Sequence, residues 1–104
     1  MSKQKKIIDG HIHITSPEIL NNIDKYRKIE PYFDLLCSSS VNKNITGKNL
    51  VKEINKFGLT RAVVFGFGFK NMELCKKVNN YTIEMIQNYP DKLIGFAVVN
   101  PMAE

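Results

Sequence analysis

A chain of 104 residues, 43% of them hydrophobic, suits one small globular domain with a packed core. No apolar run approaches the ~18–20 residues of a membrane span, and residues 1–6 lack the apolar stretch and cleavage site of a signal peptide; a cytoplasmic protein without membrane contact is expected. The net charge of +5 argues little for nucleic acid, because thirteen of the fifteen basic residues are scattered lysines and only Arg27 and Arg61 carry the guanidinium group that reads bases and phosphates best.

Hydrophobic periodicity predicts strands alternating with helices. The first strand covers residues 6–14. A helix follows: Ser16 suits its cap, Pro17 its first position and Glu18 the positive end of its dipole. Ile19, Leu20 and Ile23 form its buried side, and Pro31 bounds it. Residues 31–45 show no clear period, and long aperiodic stretches often line a site. There Tyr32, Phe33, Leu35 and Leu36 suit either a short helix over a pocket or simple packing over a barrel end.

Thr46 is the candidate cap of the next helix, and Gly58 its stop. Leu50, Val51, Ile54 and Phe57 lie on its buried side, with Lys48, Lys52 and Lys56 largely on the solvated one. A second strand, residues 62–67, is apolar on both faces, as in a buried parallel sheet. A long helix over residues 72–89 carries Leu74, Cys75, Val78, Tyr81, Thr82, Met85, Ile86 and Tyr89 in one stripe, and Pro90 closes it. The third strand covers residues 93–99. Short returns between these elements imply βαβ units and a parallel sheet, and the barrel-like register of apolar strands joined by amphipathic helices predicts the order 1-2-3 with helices on one side. Cys37 and Cys75 form no CxxC pair and are expected to pack as small hydrophobes.

The first strand carries the chemistry. Side chains alternate along a strand, so Asp9, His11 and His13 are expected on one face and Ile8, Gly10, Ile12 and Ile14 on the other. Two imidazoles two residues apart can point at one ion, and neutral imidazole suits zinc and related divalent metals. His-x-His alone is a weak pattern. Here it gains from its place on the polar face of an otherwise apolar strand, at the end where α/β barrels build their sites. The chain has no other histidine. Asp9 suits either a buried acid paired with a base, the favoured expectation, or an acceptor that orients a ligand.

Ile8-Asp9-Gly10-His11-Ile12-His13 resembles the strand-one signature of the amidohydrolase superfamily, in particular its amidohydrolase-related (type 2) group. Gly58-Leu59-Thr60-Arg61-Ala62-Val63-Val64-Phe65-Gly66 and Tyr89-Pro90-Asp91-Lys92-Leu93-Ile94-Gly95-Phe96-Ala97 resemble the junctions leading into its strands two and three. The resemblance spans the chain in order. It implies an α/β fold that is a partial TIM (β/α)8 barrel: the first three parallel strands with intervening helices. Residues 1–104 would form the N-terminal part of a single barrel domain. It further implies a metal-dependent hydrolase that uses a metal-activated water on an amide, ester or lactone-like bond of a small-molecule substrate. His11 and His13 would be metal ligands, with zinc as the divalent cofactor and manganese as the alternative.

The resemblance assigns no catalytic residue, because the family's later histidines and aspartate have no counterpart after His13. A whole barrel takes ~250 residues. The 104-residue chain alone is therefore expected to be inactive, to hold metal weakly or not at all, and to self-associate through exposed strand edges. Two alternatives stay open. One is a non-oxidative decarboxylase of the same barrel family. The other is a small non-catalytic α/β ligand-binding module, although no glycine-rich phosphate loop follows strand one.

Overall fold

The computed structural model describes residues 6–39 and 43–104. Most of the N-terminal stretch weighed above for a signal peptide, and residues 40–42 of the aperiodic segment, lie outside the described residues. The elements in chain order are β1 (Ile8–His13), α1 (Pro17–Asn21), α2 (Ile23–Ile29), α3 (Pro31–Cys37), α4 (Gly47–Phe57), β2 (Arg61–Phe65), α5 (Met72–Asn88) and β3 (Leu93–Gly95). The strands form one parallel sheet in the order β1-β2-β3, the order the sequence predicts. None of the described helices is long and apolar enough to cross a membrane.

The two long helices start and stop where the sequence says. The Thr46 hydroxyl accepts from the Asn49 amide at 3.2 Å, and Gly58 ends α4 in the left-handed conformation with φ of +68°. Glycine adopts that φ without a Cβ penalty. Asn71 caps α5 by accepting from the Leu74 amide at 3.1 Å. Leu50, Val51 and Ile54 of α4 and Met85 of α5 meet Ala62, Val64 and Leu93 of the sheet in one core cluster. Ile54, Ala62 and Val64 are wholly buried there. Full burial of an aliphatic side chain contributes roughly 1.5–3 kcal/mol, so this layer anchors the unit. Two glycines let α5 approach: a Cβ at Gly66 would press on Val78, and one at Gly95 would overlap Ile86.

The other face of the sheet is more open. Along β2, Ala62 and Val64 are buried while Arg61, Val63 and Phe65 are only half-buried. The expectation of a strand covered on both faces thus holds for one face. A second apolar cluster joins Ile19, Tyr26 and Phe33 of the short helices to Phe69, Leu74, Cys75 and Val78. It lies past the carboxyl end of β2 and fastens α1, α2 and α3 there. Cys75 packs within it, as expected, with its thiol donating to the Phe69 carbonyl at 2.6 Å.

Four local expectations are corrected. The single helix expected before Pro31 breaks at Asn22, whose φ of −125° and ψ of 33° leave the helical region. Its side-chain amide donates to the Glu18 carbonyl at 2.9 Å, taking a turn the helix would otherwise use. β3 stops at Gly95, well before residue 99, because Asn79 of α5 binds both the amide and the carbonyl of Val98 at 2.9 Å and draws that segment off the ladder. Phe57, expected in the core, is 67% exposed under the Lys56 ammonium, 5.3 Å from the ring centroid. The fourth concerns Asp9. The register runs Asp9 to Ala62 but Ile12 to Val64, one residue more on β1 than on β2. That shift puts Asp9 in line with the helix-facing row and out of the histidine face. Its carboxylate accepts from the His11 amide at 3.1 Å, and the residue is exposed, so the favoured reading of a buried paired acid does not apply.

Candidate functional site

A cavity of about 430 Å³ opens at the carboxyl end of β1. His11, Ile12 and His13 form its floor, and Phe67 and Gly68, just past β2, form one side. Tyr32, Leu36 and Cys37 of α3 and residues 43–45 form the rest. The aperiodic segment therefore does line a pocket, through Tyr32 and Leu36, while Phe33 packs in the second apolar cluster and Leu35 is exposed. Thr15 ties the segment to the strand, its amide donating to the Ile45 carbonyl at 2.9 Å and its hydroxyl meeting Asn44 Oδ1 at 3.3 Å.

The two histidines come together as the sequence predicts. Their ring centroids lie 5.2 Å apart, edge to face. Each also sets an edge against Phe65, at 4.7 Å for His11 and 4.6 Å for His13. His13 stacks flat on Phe67, with centroids 4.4 Å apart and planes 3° from parallel. Phe67 in turn meets Phe33 edge-on at 5.3 Å. An aromatic wall thus runs from the strand into the second core cluster. His11 is exposed and His13 half-buried.

One contact fixes the chemistry of His13. Its Nδ1 lies 2.9 Å from the Gly66 carbonyl oxygen. A carbonyl only accepts, so Nδ1 carries the proton and Nε2 of the neutral ring keeps its lone pair. A backbone acceptor on the far nitrogen is the usual way an imidazole ligand is oriented. Burial lowers the His13 pKa below the ordinary imidazole value of 6.5; the Gly66 bond opposes this and nearby His11 adds to it. The ring therefore stays neutral, and able to donate its lone pair, further into acid than a free imidazole.

That shift has a sign for stability. With the folded pKa below the unfolded one, the unfolded chain takes up the proton first as pH falls. Stability is then full above pH ~6.5 and declines on acidification, until the folded ring also protonates. Urea unfolding between pH 8 and 5 is expected to show this decline, with His13→Gln reducing it. Stability that rises on acidification across that range would contradict the neutral, half-buried ring.

Sequence reasoning missed Gly66, Phe65 and Phe67 as partners of the histidines, although the Phe65-Gly66-Phe67-Gly68 alternation sits at the strand end where such a partner is needed. Cys37 packs against the second apolar cluster, as expected of a small hydrophobe. The thiol lines the cavity and accepts from Asn44 Nδ2 at 3.7 Å. Among the described residues no group of three or more His, Cys, Asp or Glu is arranged to hold a metal ion. Comparison with family models, curated proteins and solved structures returns no match to the chain.

Proposed function

We propose that the chain forms the first three strand–helix units of a (β/α)8-barrel, metal-dependent hydrolase of the amidohydrolase type. His11 and His13 contribute two ligands to a divalent ion, zinc by preference and manganese as the alternative. The observation that carries this reading is the pairing of two imidazoles at one cavity, with His13 tied through Nδ1 to the Gly66 carbonyl.

The two rings lie edge to face with centroids 5.2 Å apart and line the same cavity, so both would be at hand for a single ion. The position fits as well, since barrel enzymes build their sites at the carboxyl ends of the strands. A parallel sheet in the order β1-β2-β3, with both long helices on one face, suits consecutive barrel units. A doubly wound fold would place β1 inside the sheet.

When bound, a divalent ion here would lower the pKa of a water and polarise the bond to be cleaved. The chain's own residues prepare that chemistry. The Gly66 carbonyl holds the His13 ring in one tautomer, and Phe65 and Phe67 pack against that ring. Ile12, Leu36 and Ile45 supply apolar wall for a small organic substrate.

Residues 1–104 alone are expected to leave simple amides, esters and lactones intact and to bind zinc or manganese weakly or not at all. Catalytic zinc takes three protein ligands as a rule, and two are present. Any longer product of the same gene is expected to retain metal and to hydrolyse one of these classes. Release of carbon dioxide from a carboxylated substrate instead would favour the decarboxylase alternative. Tight stoichiometric metal with turnover in the short chain, or a longer product with neither, would overturn the proposal.

A further inference from the structure

Glu30 is 2% exposed, at the corner between α2 and α3. Both of its carboxylate oxygens are taken by backbone amides: Oε2 accepts from Lys70 at 2.9 Å and Oε1 from Asn71 at 2.8 Å. Those amides belong to the cap of the 17-residue helix α5, where a carboxylate is favoured by the helix dipole. They also end the loop of residues 66–71, whose start supplies the Gly66 carbonyl and the Phe67 ring to His13. The same loop is held from its other side. The Glu104 amide donates to the Lys70 carbonyl at 2.9 Å, and Asn100 Nδ2 to the Gly68 carbonyl at 3.2 Å.

We propose that Glu30 is a positioning residue for His13, acting through this loop. By pinning the Lys70 and Asn71 amides it sets the Gly66 carbonyl under Nδ1 and so keeps Nε2 turned toward the cavity. A buried carboxylate without such a task would be a costly choice at a helix corner, since a neutral side chain could pack there. The functional meaning rests on His13 as an Nε2 donor, but the mechanical part stands apart from any metal.

The test is long-range proton–nitrogen correlation of the imidazole nitrogens, recorded without metal at a pH where both rings are neutral. The wild-type chain is expected to show His13 protonated at Nδ1. Glu30→Gln sets an amide NH2 against one of the two backbone donors. It is expected to lose the Nδ1–H excess while its far-ultraviolet circular dichroism stays that of a folded chain. Leu50→Val loosens the core away from the loop and is expected to leave the tautomer unchanged. Should Glu30→Gln fail to fold, Glu30→Asp, which withdraws the carboxylate by one methylene, is read in the same way. In the wild type, the Lys70 and Asn71 amides should exchange with solvent slowly. Fast exchange at both, an unchanged tautomer in a folded Glu30 variant, or an equal shift in Leu50→Val would overturn the proposal. Loss of the tautomer in Glu30→Gln, beside a longer gene product that binds no metal, would uphold the positioning role and remove the hydrolase reading.

Discussion

Phe33→Ala is expected to lower stability by about 3–5 kcal/mol, the range for removing a buried aromatic ring from a core. The ring is 1% exposed. It meets Phe67 at 5.3 Å and Phe69 at 5.2 Å, edge-on in both cases, an arrangement that adds to plain burial. It also belongs to α3, a seven-residue helix with no side-chain cap, too short to persist without tertiary packing. A domain's whole stability is about 5–15 kcal/mol, so the loss is a large share of it. Its neighbour Tyr32 is 67% exposed, and Tyr32→Ala is expected to stay within about 0.5 kcal/mol of the wild type. Urea midpoints for the two variants measure the difference. Equal, small shifts would mean that the second apolar cluster does not hold α3 on the strand ends.

The largest functional effect is expected at the histidines. In any longer product of the gene that holds metal, His11→Ala and His13→Ala should each cost more activity than the roughly 10–100-fold typical of losing a partner behind a ligand. The two differ in what else they disturb. His11 is exposed and its ring meets those of Phe65 and His13, so its removal should leave folding nearly unchanged. His13 also gives up the Gly66 bond and the Phe67 stack, so its removal should loosen the 66–71 loop as well. Activity lost in His11→Ala at unchanged stability is therefore the cleaner sign of a ligand. Activity that follows stability across both variants would make the rings structural.

The caps at Ser16 and Thr46 and the stop at Gly58 follow from signals within a few residues of one another, and the strand order from the alternation of apolar strands with amphipathic helices. Those parts of the fold were legible, whereas the cap at Asn71 was not singled out. The pairing of His11 with His13 was legible for the same reason, since both lie on one short strand. What stayed hidden depends on partners distant in the chain. Glu30 meets Lys70 and Asn71, forty residues on, and nothing periodic marks such a pair. The early end of β3 comes from Asn79, on the other side of a helix–strand turn. Asp9 left the histidine face because of a one-residue register shift between β1 and β2, and strict alternation has no way to announce a shift.

The central claim is that one ion sits between His11 and His13. Its most direct test is the zinc and manganese content of the longest product of the gene, purified as wild type, His11→Ala, His13→Ala and the double variant, each checked for native circular dichroism. Stoichiometric metal is expected in the wild type, with a sharp drop in each single variant and none in the double variant. Folded double variant that retains the wild-type metal content would contradict it.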